Sequence, residues 1–306
     1  MNSGFNLPAD AGTQSGQGKS RRSFRDTQCR SQSGFTLVEA IVAMVVFGIA
    51  VALIGMFIRF PIQSYFDTER RARLTDRADT ALRRMTRDLR LALPNSVRVM
   101  QDGAVQYLEF FQTRAGGRYR IEPAVGGSGG DLDALDFTVT DSSFQIVGTA
   151  PTYISGDYVA ITNLGPDSGA DAYNGDNIAE VKSVDSSSGV LVLKNGFRFP
   201  VPSPGNRFFI VDSRVTYRCD PSTGELRRYW GYSMPPTPAN KNQTVPPVTA
   251  ASALLATGVT ACTITYDSNV SNTRSAIVSI LLTLADAQAP QEAVSLFHQV
   301  HVSNVP

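Results

Sequence analysis

One carboxylate, Glu39, stands at the head of a long apolar run in residues 33–50, SGFTLVEAIVAMVVFGIA. From Ala40 to Ile58 the chain has 19 residues without a charge. As a helix that run measures about 28 Å, close to the roughly 30 Å hydrocarbon core of a bilayer. A carboxylate drawn towards such an interior costs about 3 kcal/mol when unpaired, so the chemistry open to Glu39 is pairing with a cation. An ordinary acid in a first helical turn, favoured by the positive end of the helix dipole, is the other reading. An ordinary secretory signal puts its apolar region before the cleavage point. Here the order is reversed: a basic segment, then Gly34-Phe35, then the run. A cut after Gly34 leaves the apolar helix on the mature chain and gives Phe35 a new α-amine, four residues from Glu39.

Other residue types with chemical potential are sparse. The three cysteines, Cys29, Cys219 and Cys262, have neither metal-ligand nor redox spacing. Cys29 lies in the polar N-terminal segment. Its removal leaves Cys219 and Cys262, an even pair that suggests a disulfide in an exported domain, with two buried thiols as the alternative. Closing that loop would stabilise the domain by about 4 kcal/mol in the chain-entropy description. His298 and His301, the only histidines, would fall on opposite faces of a strand. The stretch Gly231-Tyr232-Ser233-Met234-Pro235 fails the last position of a nucleophile elbow. Two acidic clusters could hold calcium: Asp131, Asp133 and Asp136, and Asp167, Asp171, Asn174 and Asp176. Neither has EF-hand spacing, and solvated loops explain both. No catalytic residue, cofactor or metal is therefore assigned, and the chain is read as a non-enzyme.

These residues need elements to hold them. Residues 1–34 are rich in Gly, Ser, Gln and Arg and form a basic leader that cannot bury a core. Beyond the apolar run, Ile62, Phe66, Leu74, Ala78, Leu82, Met85, Leu89 and Leu93 recur at helical spacings and make one apolar stripe. Asp67/Arg71, Glu69/Arg73 and Asp79/Arg83 support it at i,i+4. Pro61 could kink this helix and Pro94-Asn95 should end it. The spacing thus predicts one long helix over residues 35–93, membrane-embedded over 35–60 and amphipathic over 61–93. Its arginines read as a solvated face, with anionic headgroups or neighbouring subunits as other contacts. After Pro94 the pattern turns to alternation and turn signals, with strands expected at VQYLEFFQT, LDALDFTVTD, SFQIVGT, DYVAITNL, GVLVLKNGFRF, NRFFIVDSRVTYRCD, LRRYWGY, ACTITYD, AIVSILLTLAD and AVSLFHQVHVSNV. Residues 94–306 therefore form one β-rich domain, and the fold class is α+β. The leader and residues 67–90 are each net basic, whereas the remainder after residue 90 is net acidic, which excludes nucleic acid as a partner.

The stretch G-F-T-L-V-E, followed by an uncharged helix after a basic leader, resembles the class III signal of type IV pilins and type II secretion pseudopilins. That resemblance implies a pilin-like fold, cleavage by prepilin peptidase between Gly34 and Phe35, and N-methylation of Phe35. It also implies assembly through a charge pair between the Phe35 amine of one subunit and Glu39 of its neighbour. The partners implied are other major and minor pilins, the peptidase, an inner-membrane assembly platform and membrane lipid. The location implied is the inner membrane, single-pass, with a periplasmic C-terminal domain, and then the pilus at the cell surface. Gly48 and Gly55 are the weak points of the helix, which lacks the proline many major pilins carry. The lysine and arginine counts on the two sides of the run are too even to orient it. The signal and the exported-type cysteine pair place the leader in the cytoplasm. Residues 59–99, LGPDSGADAYNGD, VTYRCDPSTGELRRYW and FHQVHVSNVP are similar to MshO-type minor pilins of the mannose-sensitive haemagglutinin (MSHA) pilus. VTYRCDPSTGELRRYW also resembles J-type pseudopilins and PilW-type minor pilins, which implies a place in a tip complex that primes the filament.

Overall fold

A computed structural model describes residues 34–123, 133–232, 234, 246–247, 249–267 and 275–306, apart from the side chains of 58–63. Helix α1 spans Leu37–Leu89. The chain divides into two units, one ending at Phe60 and the other beginning at Pro61, a residue with no N–H to give to the helical ladder.

In the first unit, Thr36 caps the helix. Its Oγ1 accepts the Glu39 N–H at 3.3 Å, and its carbonyl accepts the Ala40 N–H at 3.1 Å. Residues 37–57 form one apolar span whose side chains are bare within the unit, none of them buried.

In the second unit the helix is one-sided. Leu74, Ala78, Ala81, Leu82, Met85 and Leu89 are buried, and Arg83, Arg87 and Arg90 are exposed. The helix stops four residues before the expected 93. Leu91 and Ala92 make tighter bonds to Asp88 and Leu89, and the backbone then joins a strand: Leu93 N–H donates to Phe111 O and Thr113 N–H to Leu91 O. Asn95, at φ +57°, completes the reversal.

Among the described residues, twelve antiparallel strands follow. Strands β1 (Arg98–Asp102), β2 (Val105–Tyr119), β7 (Arg207–Asp220), β8 (Glu225–Trp230) and β9 (Ala251–Thr257) lie side by side in that order. Strands β10 (Val259–Tyr266), β11 (Ser275–Asp286) and β12 (Ala289–Ser303) form a separate three-stranded sheet. The helix stripe packs with Leu108, Phe110, Val215 and Tyr217 of the first sheet and Val278, Ile280, Leu282 and Val300 of the second, in one core. The sheets are also tied covalently. Cys219 of β7 and Cys262 of β10 form a disulfide, with Cα atoms 6.4 Å apart.

The far halves of β2 and β7 do something else. With β3 (Asp141–Val147), β6 (Val190–Phe197), β5 (Ile178–Asp185) and β4 (Tyr158–Ala160) they close a ring in the order β2-β3-β6-β5-β4-β7 and back to β2. The register of β2 on β7 shifts between Gln112 and Ala115, where the pairing passes from sheet to barrel. Inside lies a second core of Tyr119, Phe144, Ile161, Leu191, Phe199, Phe208 and Ile210.

Three strands escape a reading by alternation: β1, β5 and β9. One expected strand, LDALDFTVTD, is not a strand over residues 133–140, and its last residue, Asp141, belongs to a strand only as the start of β3. Its carboxylates take up local donors instead. Asp136 accepts the N–H and hydroxyl of Thr138, which hold its carboxyl below the usual carboxylate range, and Asp133 accepts the Ser143 hydroxyl at 2.6 Å. Leu135 of that stretch enters the barrel core, and Phe137 packs against it beside Tyr119.

Candidate processing and assembly site

The junction Gly34-Phe35 precedes the Thr36 cap, ahead of the first helical turn. A Cβ built on Gly34 would meet nothing within 4 Å. Glycine at 34 is therefore not required by packing within the described chain, and the same holds for Gly48 and Gly55. Phe35 is 78% exposed. Glu39 is also exposed, at the third helical position, where its own N–H is taken by Thr36. Thr-x-x-Glu is the signature of a capping box, so a local helix-start role is available to Glu39. The apolar residues after it are a different matter. Met44, Phe47 and Phe57 are all more than two-thirds exposed. Such a surface is stable only against lipid or against other apolar helices.

The calcium candidates are dispersed. Asp131 lies outside the described residues. Asp171 Oδ1 accepts the Tyr173 N–H, and Asp176 Oδ2 accepts the Asp171 N–H at 3.5 Å, so these acids brace their own loop. Asp167 sits in the same loop at φ +59°. Among the described residues no three His, Cys, Asp or Glu side chains gather to hold a metal ion. His298 is partly buried and His301 exposed, on opposite faces of β12.

Two buried charge clusters were not anticipated. On the helix stripe, Asp88 is 2% exposed and accepts from Arg228 Nε at 2.6 Å and from the Tyr217 hydroxyl at 2.8 Å, with Arg84 3.2 Å away. On β2, Glu109 accepts from Arg98 at 2.7 Å, Arg214 at 2.8 Å and Thr216 at 3.0 Å. The Arg98 guanidinium lies over the Tyr173 ring at 3.7 Å. Burial and the nearby carboxylates push the hydroxyls of Tyr217, Tyr232 and Tyr173 well above their ordinary value, so all three stay protonated. Spacing did offer a signal for the first cluster: Asp88 is three residues past Met85 and seven past Ala81, on the buried stripe itself. These groups hold the β structure and the helix together; Asp88 and Glu109 are buried, whereas Arg98 and Tyr173 also line an open pocket beside Asp167 and Asp171.

Residues 29–55 match the family model for the prokaryotic N-terminal methylation motif. The match covers the Gly34-Phe35 junction, Glu39 and most of the apolar span, and it supports a type IV pilin-like or pseudopilin protein. Such a motif implies processing by prepilin peptidase and assembly with other pilins, a structural task and not a catalytic one. Together with the apolar helix it fits a single-pass, membrane-anchored protein. No curated protein matches the chain, and no solved structure does.

Proposed function

We propose that this chain is a minor pilin of a type IV filament, MshO-like and serving MSHA pilus biogenesis, that assembles through its N-terminal helix in a priming or tip complex. The observation that carries the reading is the methylation motif lying over an apolar span with no buried residue. Prepilin peptidase cuts between Gly34 and Phe35, removing the basic leader 1–34, and Phe35 is N-methylated. Residues 35–60 then reside in the inner membrane, residues 61–89 carry the amphipathic half of the helix, and residues 94–306 form the periplasmic domain. When neighbouring helices stack with an axial offset, the Phe35 amine of one subunit meets Glu39 of the next. Burial among sibling helices covers the apolar side chains, and the pair offsets the cost of the carboxylate. The MshO-like part of the reading rests on the resemblance of residues 59–99 and of the later segments to that type of subunit, not on the methylation motif. The second reading is a J-type minor pseudopilin of a type II secretion system, which VTYRCDPSTGELRRYW also resembles; it has the same N-terminal chemistry and a different partner set.

Since nothing among the described residues packs on Gly34, its role is tested by the peptidase alone. Gly34→Leu should leave a precursor that runs larger than the mature protein on a blot. Normal maturation of that variant would overturn the assignment.

A further inference from the structure

Strand β12 is the outer strand of the sheet β10-β11-β12, and among the described residues no strand pairs with its free edge. Every second residue of such a strand aims both its N–H and its C=O outward, a template for another chain. Natural edges are usually blunted by charge, proline or a bulge. Residues 293–303, AVSLFHQVHVS, contain no proline, lysine, arginine, aspartate or glutamate, and their pairing with β11 is regular from Ser275 to Ala285.

The space beside this edge has a defined chemistry. Asp79, Arg83, Thr86 and Arg87 of α1, Arg90 just past its end and His298 of β12 line an open groove of about 470 Å³. Arg83 is neutralised by Asp79 at 2.6 Å. Arg87 and Arg90 are exposed and have no side-chain partner among the described residues. On the opposite face of the sheet, Phe297 is 60% exposed and directly opposite Leu281, itself 39% exposed. This apolar row runs to the edge and stops there.

We propose that the free edge of β12, walled by Arg87 and Arg90, is the docking groove for an extended acidic strand of a different polypeptide. The strand adds to β12 as a fourth strand. Its helix-facing side chains are aspartates or glutamates that meet Arg87 and Arg90, and an apolar side chain on its other face packs on Phe297. A second copy of this chain is disfavoured as the occupant. Two β12 edges paired about a two-fold axis would bring both arginine walls together. The proposal rests on the filament-subunit reading only for where the partner resides.

The test places a benzoylphenylalanine photocrosslinker at Ser295, at Gln299, and at the remote exposed Lys182 of β5, in the full chain in its own cells. Ser295 and Gln299 should each yield an adduct, and Lys182 none. Mass spectrometry should locate the adduct in an Asp- or Glu-bearing extended peptide of another polypeptide. Arg87→Glu with Arg90→Glu should reduce that adduct by about tenfold or more. The double lysine variant should retain it, with the Cys219–Cys262 bond oxidised throughout as the check on folding. Absence of an adduct above the Lys182 level would overturn the proposal. So would an adduct with a second copy or with the chain's own residues, or one indifferent to charge reversal. The same blot reports the size of the chain, so a leader left uncut is read separately from a groove left empty.

Discussion

Arg228 of β8 donates its Nε–H to Asp88 of α1 at 2.6 Å, and both side chains are buried. This bond joins the helix to the sheet across the main core, and Tyr217 donates to the same carboxylate oxygen. A buried charge stripped of its partner is costly, so Asp88→Ala should destabilise the folded protein by about 3–5 kcal/mol. Replacing the pair with apolar residues, Asp88→Leu with Arg228→Met, should recover much of that loss. Denaturant unfolding of the full chain in detergent, on the singles and the double, measures both. Additive losses would show that the two residues act independently.

Gly258 is the single residue between β9 and β10, where the chain leaves one sheet for the other. It sits at φ +78°, and a Cβ there would lie 2.5 Å from the Ala285 carbonyl oxygen, which no flexible side chain can relieve. Gly258→Ala should cost about 1–3 kcal/mol. A variant of unchanged melting temperature would mean that this corner opens at little cost.

Asp220 closes the β7–β8 turn, its carboxylate accepting from the Ser222 N–H and hydroxyl and from the Thr223 N–H. These bonds, Ser222 foremost, hold its carboxyl below the usual carboxylate range. A depressed folded value means that the stabilisation is complete above the unfolded value, near pH 4, and fades as the pH falls through the folded one. Asp220→Ala should therefore cost about 1 kcal/mol at pH 7, with the gap to wild type narrowing below pH 4. Melting curves at pH 7 and pH 3 give the comparison; a gap that widens in acid would contradict the sign.

The Cys219–Cys262 bond closes a loop of sequence separation 43 between the two sheets. Cys219→Ser with Cys262→Ser should lower stability by about 4 kcal/mol, or leave the domain unfolded in cells. Non-reducing peptide mapping of the wild-type chain should show the pair bonded; two free thiols would refute it.

Glu39 has a local role available at the helix start and a proposed role between subunits, and Glu39→Gln separates them. The amide can still complete a capping box but carries no charge. The variant should be processed normally yet be incorporated poorly into filaments, as read by immunoblots of sheared surface fractions. Wild-type incorporation would leave Glu39 with its capping role alone.

The helix was legible because a buried stripe recurs every three or four residues and because 19 uncharged residues in a row admit few environments. Most strands were legible by alternation. The three missed, including ASALLAT of β9 and IAEVKSVD of β5, have weak apolar contrast and are strands because of the neighbours they pair with. LDALDFTVTD failed in the other direction: its alternation is real, but its aspartates satisfy nearby backbone and hydroxyl donors, which favours a loop.

By itself the sequence determined the N-terminal motif on which the proposed processing and pairing rest, because Gly34, Phe35, Glu39 and the apolar run lie in one short stretch and their meaning depends on order alone. Only the tertiary structure decided the rest. It closed six strands into a barrel while two of them also served a sheet, and it brought Asp88 to Arg228 across 140 residues. Among the described residues it also left one edge of β12 unpaired beside Arg87 and Arg90. The physical reason is that pairing in a β domain is non-local: each strand's alternation says which face is buried, and only packing of the whole chain selects the neighbour that covers it.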